Sequence, residues 1–165
     1  MNRLPASVAA LTLACAATAA RAEVVESTDA GFVLRHTTVV AAPPEQVWKA
    51  LTRLPRWWDP EHTYSGDARR LSLEVRPGAC WCERLDGGGG VEHGRVALVM
   101  PNQTLRVRTE LGPLQSEGAA GALTWTLKAV EGGTELTQTY EVGGRASGAG
   151  LTGFAPIVDR VLGVQ

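Results

Sequence analysis

Between residues 71 and 142, apolar and polar residues alternate in one segment after another, and each segment ends at a glycine, proline or asparagine turn. Leu71, Leu73 and Val75 alternate with Ser72, Glu74 and Arg76. Residues 79–85 and 91–100 form two extended runs joined by Asp86-Gly87-Gly88-Gly89-Gly90. Leu105 and Val107 stand against Arg106 and Arg108, and Leu123, Trp125 and Leu127 against Thr124, Thr126 and Lys128. After Gly132-Gly133, Leu136, Gln138, Tyr140 and Val142 share one face, and Glu135, Thr137, Thr139 and Glu141 the other. A period of two is a strand signal, and turns this short join antiparallel neighbours. A sheet of this kind has one apolar face that another element must cover. The only large element left is the C-terminal segment, where Leu151, Phe154, Val158, Val161 and Gln165 recur at helical spacing. Pro156 is expected to kink that helix.

Upstream, residues 32–41 read as one more strand, ended by Pro43-Pro44. Residues 44–51 follow as a short helix with proline in its first turn and Val47, Trp48 and Leu51 on one face. Pro55 breaks it, Trp57-Trp58-Asp59-Pro60 reads as a second short turn or helix, and a polar loop runs to Asp67. The expected class is α+β, with about six or seven strands curved around a C-terminal helix and two short helices after the first strand. With 165 residues, 44% of them hydrophobic, the chain can bury one core. A net charge of −1 predicts no nucleic-acid partner.

The N-terminus has the features of an export signal. Arg3 precedes an uncharged, alanine-rich stretch from Leu4 to Ala20, and Ala20-Arg21-Ala22 matches a signal-peptidase site. The expectation is a signal peptide over residues 1–22, a domain over 23–165 and an exported, periplasmic product with no membrane span. An alternative is a lipoprotein anchored through Cys15. Cleavage removes Arg3 and Arg21, leaving 14 basic against 17 acidic residues, and it leaves Cys80 and Cys82 as the remaining cysteines.

The segment Ala42-Pro43-Pro44-Glu45-Gln46-Val47-Trp48-Lys49-Ala50-Leu51, Trp57-Trp58, residues 78–83, residues 96–101 followed by Leu105, and Gly132-Gly133-Thr134-Glu135-Leu136-Thr137 together resemble the SRPBCC superfamily. That superfamily includes START-type lipid-transfer proteins, birch-pollen-allergen-like proteins and polyketide cyclases. The branch most similar to this chain includes activators of a heat-shock-protein ATPase. The resemblance runs from Phe32 to Gln165 and implies a helix-grip fold with a ligand cavity between sheet and C-terminal helix. Members bind lipids, sterols, plant hormones or polyketides, and some catalyse cyclisation or dehydration without a shared catalytic triad. This chain departs from the pattern in its leader and in a short last helix, which implies a more open cavity.

The hairpin supplies the candidate polar chemistry. A symmetric five-residue loop pairs Leu85 with Val91, Glu83 with His93 and Trp81 with Arg95 on one sheet face, unless a bulge shifts the register. Glu83 and His93 then form a carboxylate–imidazole pair able to move a proton, or else an ordinary ion pair on a solvated face. The face that points inward is open at this level, because Cys80, Cys82, Gly94, Val96 and Leu98 share the other one. Cys80 and Cys82 are read as two small buried side chains, since the ~6.5–7 Å Cα spacing of an extended strand is the upper limit for a disulfide. No metal is expected at Cys80, Cys82 or in the Asp59, Glu61, His62, Asp67 loop, and no cofactor elsewhere.

The candidate ligand-binding residues are Trp58, Trp81, Glu83, His93, Arg106, Trp125, Tyr140 and Phe154, with Glu83 and His93 as catalytic candidates. Trp57 or Trp58 suits a pocket mouth, and Tyr140 a polar group inside the cavity. The functions that follow are an exported carrier of a hydrophobic small molecule, a cyclase- or hydrolase-type enzyme using Glu83–His93 or Tyr140, and a protein-interaction module.

Overall fold

The computed structural model describes residues 21–148 and 150–163; most of the expected leader, including Cys15, lies outside the described residues. Eight antiparallel strands form one sheet: β1 (Arg21–Thr28), β2 (Gly31–Val40), β3 (Leu71–Leu73), β4 (Cys80–Arg84), β5 (Gly90–Met100), β6 (Thr104–Thr109), β7 (Gly118–Val130) and β8 (Gly133–Arg145). Their order across the sheet is β1-β2-β8-β7-β6-β5-β4-β3. Among the described residues the two α-helices are α1 (Pro44–Leu51) and α2 (Ala155–Gly163). This is the expected α+β helix-grip architecture with one strand more than the upper expectation. The added strand is β1, an exposed edge that pairs with β2 and starts at Arg21, so a cut after Ala22 falls inside it. Its run of Glu23-Val24-Val25-Glu26 lacks a two-residue period, because a bulge after Val24 interrupts the pairing.

The inner face carries the core. Phe32 and Leu34 of β2, Leu105 and Val107 of β6, Leu123 and Trp125 of β7 and Tyr140 and Val142 of β8 are buried. Arg106 and Arg108 alternate outward. Leu151, Val158 and Leu162 bring the C-terminal segment onto the same core. Burial of such side chains contributes roughly 1.5–3 kcal/mol each and is the main force holding helix to sheet. Pro156 does not kink a long helix. A single 3-10 turn at Leu151–Gly153 comes first, and α2 begins at Ala155 with Pro156 in its first turn, where a missing N–H has no intrahelical partner to lose. At α1, Val47 and Leu51 are buried, while Trp48 is half-buried at the core's edge.

The β4–β5 hairpin departs from the symmetric register. Trp81 pairs with Gly94 and Cys80 with Arg95, but Cys82 pairs with Glu92, Glu83 with Val91 and Arg84 with Gly90. His93 is therefore the extra residue of a bulge, and it turns inward together with Gly94. Leu85 does not pair with Val91; its N–H bonds the carbonyl of Gly89 inside the loop. Arg95 does not face Trp81 but lies exposed, bound to Glu92. Gly94 permits the tight crossing: a Cβ there would lie 2.4 Å from the Arg108 carbonyl oxygen.

Cys80 and Cys82 are joined by a disulfide, which corrects their reading as free thiols. Their Cα atoms are 5.3 Å apart, well short of the extended-strand spacing, so β4 is locally contracted at the point where β5 bulges. The cysteines are half-buried on the outer face rather than in the core. A disulfide closing so short a loop removes little unfolded-chain entropy. Reduction is expected to lower stability by only about 1–2 kcal/mol, read as a small shift of the urea midpoint with and without reductant. A loss above about 3 kcal/mol would show that the bond holds the bulge and not just the chain entropy.

Candidate functional site

An apolar cavity of about 330 Å³ lies between α1, the inner face of β2, β8 and β7, and the end of α2. Val47 and Leu51 enter from α1, Trp125 and Leu136 from the sheet, and Leu162 from α2. Trp57 closes one side, its indole N–H donated to the Leu51 carbonyl at 3.0 Å, so the last turn of α1 orients the ring. The main polar side chains are those of His36 and Gln138, which are cross-strand partners in the β2–β8 ladder. Gln138 is in turn opposite Trp125 in the β8–β7 ladder, and the Trp125 indole N–H donates to Gln138 Oε1 at 2.6 Å. His36 Nε2 of β2 lies 3.0 Å from Asp159 Oδ1 of α2, a close approach outside hydrogen-bond geometry.

Of the eight ligand-binding candidates, Trp125 lines this cavity and the rest are placed elsewhere. Trp58 is core: it packs edge-to-face on Trp81 with ring centroids 4.8 Å apart and donates its N–H to the His62 carbonyl. Consecutive residues after the 3-10 turn at Leu54–Arg56 point to different sides, so the wall position falls to Trp57. Arg106 is exposed on the outer face, its Nε donating to Thr124 Oγ1. Phe154 is half-buried just ahead of α2. Tyr140 is fully buried away from the cavity; its hydroxyl donates to the Thr109 carbonyl and accepts from the Leu111 N–H. Burial pushes that hydroxyl's pKa up, so it keeps its proton and is a weaker acid than an exposed phenol.

Glu83 and His93 do meet, at 2.8 Å, and they are 1% and 5% exposed. The pair is not on a solvated face, and the bulge rather than direct register brings it together. It forms a second cluster with Trp81 and Tyr64, whose rings lie 5.6 and 5.9 Å from the imidazole. Glu83 also accepts the backbone N–H groups of Tyr64 and Ser65, at 3.1 and 2.6 Å. Burial raises the Glu83 pKa, but the hydrogen bonds from Ser65, His93 and Tyr64 outweigh it and hold the carboxyl below its usual range. The carboxylate thus clasps the loop before β3 to the sheet. In that loop Asp59 and Asp67 each cap a 3-10 turn through the N–H of Glu61 and Arg69.

A family model for polyketide cyclase / dehydrase and lipid transport matches residues 32–163. The chain belongs to this family. Its fold is shared by a protein from Rhizobium leguminosarum, 19% identical with a TM-score of 0.58, over 88% of this chain and 93% of that one. The Aha1 dimer of Colwellia psychrerythraea is 23% identical with a TM-score of 0.55, over 80% and 88% of the two chains. A protein from Chromobacterium violaceum is 20% identical with a TM-score of 0.55, over 80% and 92%. No curated protein sequence matches the chain. The family assignment accords with a cavity beneath the C-terminal helix and makes ligand binding or cyclase-like chemistry the functional class.

His36, Gln138 and Leu162 line the cavity but were not among the sequence candidates; of the two tryptophans considered for its mouth, Trp57 is the one that lines it. One signal was available: Gln138 is the lone amide among Leu136, Tyr140 and Val142 on the apolar face of β8. A polar residue among buried apolar neighbours calls for a partner or a purpose.

Proposed function

We propose that this polyketide cyclase / lipid transport family member is a carrier of a hydrophobic small molecule, lipid-like or aromatic, working outside the cytoplasm in the cell envelope. The observation that carries the reading is the cavity, walled by Val47, Leu51, Trp57, Trp125, Leu136 and Leu162. A concave, mainly apolar chamber with a few placed polar groups is the usual form of a small-molecule site. Export is supported by the leader-like first 22 residues and by the Cys80–Cys82 disulfide, a bond that persists in oxidising compartments. A cyclase- or hydrolase-type reading through Glu83–His93 or Tyr140 finds less support, since these groups do not line the cavity and their hydrogen bonds are made within the protein.

The test is native mass spectrometry of the full-length gene product, purified gently from its producing cells after any processing. A bound lipophilic mass that leaves on collisional activation is the expected result and identifies the chemical class. A clean apo mass, together with no binding of envelope lipid extract added back, would overturn the carrier reading.

A further inference from the structure

The cavity's polar content is arranged as a row. Trp125, Gln138 and His36 stand side by side on β7, β8 and β2, each opposite the next in register. An indole N–H can only donate, so the 2.6 Å contact with Trp125 fixes Gln138 with Oε1 toward the indole and its NH2 group the other way. Of the two N–H groups on Nε2, one reaches the Leu162 carbonyl at 3.5 Å, the limit of a hydrogen bond. The side chain is nine-tenths buried and lines the cavity. His36 approaches Asp159 of α2 to 3.0 Å but outside hydrogen-bond geometry, and its imidazole, like the Thr38 hydroxyl, can donate or accept and so discriminates little. The Nε2 group of Gln138 is therefore the oriented donor presented to the cavity's contents.

We infer that Gln138 sets the ligand class: the cavity selects an apolar molecule that carries a hydrogen-bond acceptor such as a ketone or ester carbonyl, in preference to a hydrocarbon of the same shape. This rests on the carrier reading. A carbonyl placed against the Nε2 group satisfies a donor that a hydrocarbon would leave desolvated and unpaired, and that asymmetry is where hydrogen bonds discriminate most. Trp125 acts as a positioning residue, since it prevents the amide from rotating by half a turn and presenting its oxygen.

Two probes of matched shape test it, 2-acetylnaphthalene and 2-isopropenylnaphthalene, titrated calorimetrically into the purified protein. The ketone is expected to bind about tenfold more tightly than the alkene. In Gln138→Met, which keeps the volume and removes the donor, the ratio is expected to fall to about one, with alkene affinity held within about threefold. Trp125→Phe, which frees the amide to rotate, is expected to lower the ratio too and serves if Gln138→Met does not fold. Equal binding of both probes to the unaltered protein would overturn the inference and leave the carrier reading standing. A ketone preference that survives Gln138→Met would also overturn it. Failure of both probes to bind would remove the carrier reading for ligands of this size, and the inference with it.

Discussion

Replacing Glu83 with alanine is expected to cost about 3–5 kcal/mol. The carboxylate is buried and accepts from His93 and from the N–H groups of Tyr64 and Ser65. Alanine leaves three donors without their acceptor and unpins the loop before β3, where Trp58 and Trp81 meet. The measurement is chemical unfolding of the variant against the unaltered protein. A cost below about 1 kcal/mol would show that water replaces the carboxylate and that the clasp is slack. The acid limb adds a second readout. The Glu83 pKa is lower in the folded chain than in the unfolded one, so its contribution is complete above the unfolded value, about 4.3, and is lost as pH falls through the folded value. Glu83→Gln removes that dependence, so the stability gap between the two proteins should narrow below about pH 4. A gap that stayed constant there would show that folding does not lower the Glu83 pKa.

The second large effect is functional. Leu136→Trp is expected to weaken binding of any ligand in the cavity by at least about a hundredfold while leaving the fold intact. Leu136 stands on the sheet floor opposite Thr38 and Leu127, half-buried because it borders empty space. Side chains of a strand stand upright on the sheet, so an indole placed there fills the cavity rather than swinging into solvent. Because it occupies a void and not packed core, the change should shift stability by less than about 1.5 kcal/mol, unlike ordinary overpacking. Retained ligand affinity in a folded Leu136→Trp protein would place the ligand elsewhere, and an unfolded variant would show that the cavity closes in solution. Together with Glu83→Ala the variant separates the two clusters: one should lose stability and the other binding.

Local patterning made most of the architecture readable. The period of two in β6, β7 and β8 follows from one buried and one solvated face, and the short helix after Pro43-Pro44 follows from proline's fixed φ and the spacing of Val47 and Leu51. Alternation also told which residues of these strands would share a face, and so placed Trp125, Gln138 and Tyr140 together. The edge strand β1 was not legible, since a strand exposed on both faces needs no apolar alternation.

The hairpin shows where that kind of reasoning stops. A count of residues around the glycine loop put Glu83 opposite His93; a bulge moved the register, and the two still met because the bulge turned His93 inward. The same contraction of β4 drew Cys80 and Cys82 to within disulfide reach, which extended-strand geometry argues against. A glycine inside a strand, here Gly94, hints at a bulge but not at which neighbour the bulge turns inward. The choice between Trp57 and Trp58 was equally non-local, set by where the chain turns after Pro55 and which face meets Trp81. From the sequence alone came the strands after β1, the covering helix and the faces of β6, β7 and β8, because each is dictated by which side of a local element must leave water. Which of those faces encloses a cavity, and whether a buried polar group looks into it or into the protein, was decided only when elements distant in the chain packed against one another.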